Sequence, residues 1–143
     1  MKFPYIKHSG RFLPIIPVEF KGREEWLEFE AYVDSGAGYS VFHSDVAETL
    51  GIKIENGKED HVIVGDGNKL MVFIHKIRIR LADVEFEATI GFSKGLGIGF
   101  NVLGQKDIFD KFRICFDKSE KVVEFNQKCQ INNTRDTECT QNI

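Results

Sequence analysis

The sequence predicts an all-β domain, and three observations support this prediction. Apolar and polar residues alternate with a period of two in several short segments, which is typical of half-buried strands. Clusters rich in glycine, asparagine, aspartate and lysine separate these segments and predict turns. Only one or two stretches carry the signals of a helix. We therefore expect many short strands that close around a single core.

Length and charge limit the classes of protein. The chain has 143 residues, of which 42% are hydrophobic and 29% are charged. This length supports one compact domain and is too short for two. The net charge is −3, and no basic stripe is interleaved with aromatic residues, so the composition predicts no nucleic-acid or membrane partner.

Targeting signals and cysteines point to a compartment. The first ten residues lack the apolar core of a signal peptide, and no apolar run reaches the length of a membrane span. The three cysteines contain no Cys-x-x-Cys pair, and their odd number does not suggest a secreted disulfide framework. We expect a cytoplasmic protein in which Cys115, Cys129 and Cys139 are packed or exposed thiols.

The first predicted elements form a hairpin after an N-terminal segment, residues 1–11. Phe12–Phe20 is apolar and extended, but Pro14 and Pro17 cannot donate hydrogen bonds to a neighbour, so we expect an edge or partly unpaired strand. Trp26–Val33 alternates clearly and is predicted to pair with it. This second strand ends directly before an acidic residue.

That residue is Asp34, which opens a turn of small residues. Ser35 offers a hydroxyl, and Gly36 lets another backbone come close because it has no Cβ atom. Ala37 and Gly38 keep the loop small. The sequence therefore predicts a carboxylate presented on a tightly packed turn.

A short helix and a hairpin are predicted next. Ser40–Phe42 is expected to be a strand, and Ser44 or Asp45 to cap a helix that runs through Leu50 and ends at Gly51. Asp60–Phe73 is the clearest hairpin in the chain. Its tip consists of residues that tolerate positive φ, which are Gly65, Asp66, Gly67 and Asn68.

The second half continues the alternating pattern. Ile77–Leu81 and Val84–Ile90 are predicted strands, and the glycine-rich segment after them lacks the spacing of a phosphate or dinucleotide loop. A helix is expected from Gln105 to Phe112. Arg113–Asp117 and Val122–Phe125 are predicted to form a last hairpin, and residues 126–143 to form a polar, disordered tail.

Two segments resemble the retropepsin-like aspartic proteases. In that family a hydrophobic strand leads to Asp-Thr/Ser-Gly-Ala with a hydroxyl residue three positions on, and Asp34–Ala37 with Ser40 is similar to this pattern. Two hydrophobic residues and a glycine then open a short helix, which Val102–Gly104 matches. The resemblance covers residues 12–125 and implies a retropepsin-like closed barrel with a flap hairpin and one or two short helices.

The resemblance also implies an activity. Peptide hydrolysis by this family needs two carboxylates that share a proton, and one chain supplies only one Asp-Ser-Gly, so it implies a homodimer. Asp34 would be the catalytic residue. The implied supporting residues are Ser35, which ties the two loops together, Gly36, which permits close approach, Ala37, Ser40, which would hydrogen-bond the outer oxygen of Asp34, and Gly104. The flap over a peptide or protein substrate would be Gly65, Asp66, Gly67 and Asn68.

Alternatives remain open at this stage. Asp34–Gly36 is also compatible with an ordinary glycine-rich turn, the flap with an ordinary exposed hairpin, and the fold with a non-catalytic module for dimerisation or peptide binding. The four histidines at 8, 43, 61 and 75 are scattered, and no zinc motif or serine nucleophile elbow occurs. The sequence therefore predicts no cofactor and no metal.

Overall fold

A computed structural model describes residues 1–64, 66–96 and 99–129 of the chain. Within them the chain forms strands, one α-helix and a short 3₁₀ turn, and none of the helices there is long and apolar enough to cross a membrane. The elements are β1 (Lys2–Pro4), β2 (Ile6–His8), β3 (Arg11–Leu13), β4 (Ile15–Lys21), β5 (Trp26–Val33), β6 (Ser40–His43), α1 (Ser44–Thr49), the 3₁₀ turn Ile54–Asn56, β7 (Lys58–Ile63), β8 (Lys69–Leu81), β9 (Val84–Ser93), β10 (Asn101–Leu103), β11 (Phe112–Asp117) and β12 (Val122–Gln127).

The main sheet closes on itself. Its strand order is β4-β5-β10-β6-β9-β8-β7, and β4 also pairs with β8. Six strands therefore form a ring of hydrogen-bonded neighbours, with β7 attached outside it. This arrangement confirms the prediction of an all-β domain built from short strands.

The alternating pattern explains which side of each strand faces the core. In β5, Ala31 and Val33 are buried, whereas Glu28 and Glu30 are exposed. β4 pairs with β5 along its whole length but with β8 only at Glu19 and Phe20. It is therefore partly unpaired, as predicted, but it is not an edge strand.

Aromatic rings fill much of the core. Phe20, Phe42, Phe92, Phe112 and Phe125 are among the largest fully buried side chains. The ring centroids of Phe20 and Phe42 lie 4.6 Å apart, and those of Phe112 and Phe125 lie 5.5 Å apart in an edge-to-face arrangement. Burial of these rings removes apolar surface from water and brings the rings into favourable contact, and both effects stabilise the fold.

Two short strands in the N-terminal part, β1 and β2, were not predicted. The single strand predicted over Phe12–Phe20 is divided at Pro14 into β3 and β4. β1 pairs with β12, which also pairs with β11, so the three form a separate sheet. β2 and β3 form a hairpin around Ser9 and Gly10, whose φ angles are 51° and 77°. Positive φ at both central residues is typical of the tight turn that joins two antiparallel strands.

The end of the domain also differs from the prediction. β12 extends to Gln127, which pairs with Phe112, so the ordered hairpin runs two residues past the predicted boundary at Phe125. Cys129 is disulfide-bonded, so the expectation that it is a thiol is wrong, whereas Cys115 is free and exposed. The rest of the predicted tail, residues 130–143, lies outside the described residues.

Helix α1 has its predicted place but not its predicted cap. Its N-cap is His43, without a side-chain cap hydrogen bond, and Ser44 and Asp45 lie inside the helix. Gly51 follows its end at a φ of 75°, as a terminating glycine does.

The prediction of a second helix is wrong. Residues 105–111 form a series of turns, held by bonds such as that from Ile108 N to Gln105 O at 3.1 Å. Asp107 has a φ of 64°, which is incompatible with a continuous right-handed helix.

Candidate active site

The end of β5 fixes the position of Asp34. β10 lies beside β5 in a parallel pair, with Val33 opposite Leu103. The amide of Asp34 donates to Leu103 O at 3.0 Å, and the amide of Val33 donates to Pro14 O at 2.9 Å on the other side. The backbone at Val33 and Asp34 is therefore held by Pro14, between β3 and β4, and by Leu103 of β10 before the Asp34 loop begins.

The loop turns back on the carboxylate. The amide of Gly36 donates to Asp34 Oδ1 at 2.9 Å, and the amide of Ala37 donates to Asp34 O at 3.2 Å. An aspartate that accepts from the amide two residues later is a common way to stabilise a tight turn. Asp34 is half-buried, whereas Ser35 and Gly36 are exposed, so the carboxylate is oriented and lies next to an open surface.

The segment after β10 supports this loop from behind. The amide of Gln105 donates to Ala37 O at 2.8 Å, and the amide of Lys106 donates to Gly38 O at 2.9 Å. The side-chain Nε2 of Gln105 also donates to Ser35 O at 2.5 Å. Three donors from two consecutive residues therefore hold three carbonyl groups of the loop.

Gly104 is required by the closeness of this contact. A Cβ atom at this position would lie 2.3 Å from Tyr39 O and 2.8 Å from Ala37 O. Both are backbone atoms, which cannot move aside as a side chain does. A side chain at position 104 would therefore displace the backbone between Ala37 and Tyr39.

Ser40 has a different partner from the one predicted. Its Oγ accepts a hydrogen bond from the amide of Gly104 at 3.0 Å, and no bond from Ser40 to Asp34 occurs in the described part of the chain. β10 lies between β5 and β6, which places Gly104 next to Ser40 at the start of β6. The prediction that Ser40 bonds the outer oxygen of Asp34 is therefore wrong for this single chain.

The predicted flap is a well-formed hairpin of β7 and β8. At its tip, the amide of Val64 donates to Asn68 O at 2.9 Å, and the amide of Gly67 donates to Val64 O at 2.8 Å. Asp66 Oδ1 accepts from the amide of Asn68 at 2.9 Å. The hairpin is confirmed, but its role as a flap stays a prediction, and Gly65 lies outside the described residues.

A cleft of about 410 Å³ lies along the outer side of β5. Tyr32, two residues before Asp34, lines it together with Phe100, and their ring centroids lie 6.1 Å apart. His8 from the β2–β3 hairpin packs edge-on against Phe100 at 4.7 Å. No sequence pattern predicted this cleft; the one signal for Tyr32 is its place on the polar face of the alternating strand, two residues before Asp34.

Side chains of the types that bind metal ions do not cluster in the part of the chain that the structure describes. No group of three or more histidine, cysteine, aspartate or glutamate side chains is placed there to hold an ion. His75, for example, has its Nε2 2.8 Å from the carbonyl oxygen of Ile54.

Comparison with solved structures identifies the fold. The chain is similar to a retropepsin-like aspartic protease from Rickettsia conorii, with a TM-score of 0.61 and 16% identity over 89% of this chain and 90% of that one. It is also similar to the EIAV protease complexed with the inhibitor HBY-793, with a TM-score of 0.50 and 17% identity over 69% of this chain and 88% of that one. No protein-family model and no curated protein sequence matches. The chain therefore has the fold of the retropepsin-like aspartic proteases.

Proposed function

We propose that the protein is an aspartic endopeptidase that acts as a homodimer, with one Asp34 from each subunit. The observation that carries the proposal is the geometry of the Asp34 loop. The carboxylate is oriented by the amide of Gly36 at 2.9 Å, while Ser35 and Gly36 beside it are exposed. The fold shared with aspartic proteases supports the same assignment.

A second subunit supplies what one chain lacks. Hydrolysis of a peptide bond by two carboxylates needs one as a base toward water and the other as an acid toward the carbonyl oxygen. Each chain contains one such loop, so a two-fold axis next to Ser35 and Gly36 brings the second Asp34 to the first. The exposed hydroxyl of Ser35 can then bond to the partner's loop, and the missing side chain of Gly36 leaves room for it.

The proton balance of the reaction follows from this pair. Two carboxylates at close range repel each other when both are ionised, so the pair holds one proton between them. The ionised carboxylate takes a proton from water as the oxygen attacks the peptide carbonyl, and the protonated one gives its proton to the carbonyl oxygen, which forms a gem-diol. The first carboxyl group then gives its proton to the amide nitrogen as the C–N bond breaks, and the second takes a proton from a gem-diol hydroxyl, so the pair again holds one proton. Activity is therefore expected to be highest in mildly acidic solution.

Replacement of the carboxylate tests the proposal. Wild type and Asp34→Asn are incubated with a peptide library between acidic and neutral pH, and the products are identified by mass spectrometry. We expect wild type to cleave, and Asp34→Asn to lose on the order of 10⁴-fold in rate. The control is Asp110→Asn, because Asp110 is an exposed aspartate outside the Asp34 loop and should keep full activity.

Sedimentation of the same proteins separates this function from a binding module. A dimer of wild type and of Asp34→Asn, with cleavage by the first alone, supports the protease. Dimers that bind peptides but never cleave them indicate a non-catalytic module instead. A wild-type protein that stays monomeric and inactive at all these pH values contradicts the proposal.

A further inference from the structure

Asp107 lies in the turns that follow the loop-supporting segment, and its backbone is unusual. Its φ of 64° is in the left-handed region, which aspartate tolerates better than most residues. This conformation turns the chain directly after Lys106. The side chain of Asp107 reaches β9, where it contacts Thr89.

The carboxylate of Asp107 satisfies a buried backbone donor there. Its Oδ2 accepts from the amide of Thr89 at 2.8 Å, and Thr89 is only 4% exposed. The pairing of β6 with β9 begins with Ser40 opposite Ile90, so Thr89 lies one residue before that ladder starts. The carboxylate thus accepts the hydrogen bond of the Thr89 amide at a position where β6 offers no carbonyl group. A buried amide without an acceptor would lower the stability of the fold.

Charges around Asp107 favour its ionised form. Lys76 Nζ lies 3.9 Å from Asp107 Oδ2 and donates to Thr89 Oγ1 at 2.8 Å. Partial burial raises the pKa of Asp107, but hydrogen bonds from Thr89 and the charges of Lys76 and Lys106 lower it further, so the pKa lies below its ordinary value. The bond therefore persists in the mildly acidic range in which the proposed enzyme works.

The bond also connects to the Asp34 loop. Gln105 and Lys106, immediately before Asp107, are the residues whose amides hold Ala37 O and Gly38 O. We propose that Asp107 is a positioning residue, which fastens this supporting segment to β9 and so fixes the loop that carries Asp34. The consequence for catalysis rests on the proposed protease function; the consequence for the loop's order does not.

Two substitutions at Asp107 separate the carboxylate from the backbone conformation. Asp107→Gly permits the same φ but removes the acceptor, whereas Asp107→Asn permits the φ and keeps an acceptor oxygen. We expect Asp107→Gly to lower kcat by about tenfold to a hundredfold, because a displaced catalytic group costs rate, and to change KM less than twofold. Asp107→Asn should restore kcat to within about threefold of wild type. Asp110→Gly introduces the same residue three positions later and is the matched control.

Hydrogen exchange tests the loop itself without any need for cleavage. In Asp107→Gly, the amides of Gln105, Lys106 and Thr89 should exchange at least tenfold faster, while amides in the β7–β8 hairpin stay unchanged. Uniformly faster exchange, or an Asp107→Gly protein that matches Asp110→Gly in kcat and in exchange, would overturn the proposal. A wild-type protein that cleaves nothing would contradict the protease function only, since the exchange pattern still decides whether Asp107 orders the loop.

Discussion

The Oγ of Ser40 accepts a hydrogen bond from the amide of Gly104 at 3.0 Å, across 64 positions of sequence. Ser40 is fully buried, so this bond is shielded from water. It joins the start of β6 to the end of β10, and the loop that carries Asp34 leaves β5 and returns to β6 around it. The two residues therefore form a buried hydrogen bond beneath the loop that carries Asp34.

Gly104→Ala should destabilise the fold. The new Cβ atom would meet backbone atoms of Tyr39 and Ala37 at 2.3–2.8 Å, so the Asp34 loop has to move. We expect a loss of about 3 kcal/mol in the free energy of unfolding, measured by urea denaturation at a fixed protein concentration. Gly38→Ala is the control, because a Cβ atom there meets nothing within 4 Å; an equal loss in both variants would contradict the steric explanation.

Ser40→Ala should be destabilising and Ser35→Ala should not. The first substitution leaves the buried amide of Gly104 without its acceptor, which costs roughly 1–3 kcal/mol in the free energy of unfolding. Ser35 is exposed, so its loss should change unfolding by less than about 0.5 kcal/mol and instead weaken the proposed dimer. Urea denaturation and sedimentation measure the two effects separately. A stable Ser40→Ala protein would show that the bond contributes little.

The tip of the β7–β8 hairpin should respond to a peptide-like inhibitor. Val64 and Asn68 are joined by a backbone bond, and an isolated two-stranded arm buries little apolar area. We expect slower hydrogen exchange at these two residues when an inhibitor binds, because closure over a ligand orders such arms. Exchange at the base of the hairpin, at Glu59 and Phe73, should not change. Equal exchange at the tip with and without inhibitor would indicate a purely structural hairpin.

The stability contribution of the Asp107 charge should depend on pH. The pKa of Asp107 is lowered in the folded protein, so its ionised form stabilises the fold fully above the ordinary aspartate pKa of about 3.9. As pH falls from that value through the lowered pKa, both states become protonated and the contribution is lost. The difference in unfolding free energy between wild type and Asp107→Asn should therefore be constant from pH 5 to 7 and shrink below about pH 4. A difference that grows on acidification would contradict this sign.

Local pattern located the long strands but not all of their bounds. β8 (Lys69–Leu81) joins the hairpin arm that was predicted to end at Phe73 to the strand predicted at Ile77–Leu81. β5 matches its predicted range because its alternation is continuous and its end is marked by a turn. β1, β2 and β3 each have only three residues, too few to show a period. β1 depends on β12 at the other end of the domain, a partner that no local signal reveals.

The site was predictable in its residue types but not in all of its bonds. Asp34 directly follows β5 and Gly104 directly follows β10, whereas their catalytic and supporting roles stay proposals. Ser40 bonds to Gly104 because β10 lies between β5 and β6 in the sheet. This arrangement depends on contacts between distant parts of the chain, which local sequence does not reveal. Asp107 lies within the helix that was wrongly predicted from Gln105 to Phe112, because the local sequence indicates neither its positive φ nor its contact with Thr89.

The closure of the ring between β4 and β8 has a consequence for aggregation. Only Glu19 and Phe20 of β4 are in register with β8, opposite Arg80 and Ile79. On the outer surface of the barrel, an ion pair joins Glu19 to Arg80. The Arg80 guanidinium lies 4.5 Å from the centroid of the Trp26 side-chain ring. If this short seam opens while the other strand pairs hold, the barrel becomes a curled sheet with two unpaired edges. Such edges can add strands from other chains, so we expect loss of the Glu19–Arg80 ion pair to favour intermolecular strand pairing.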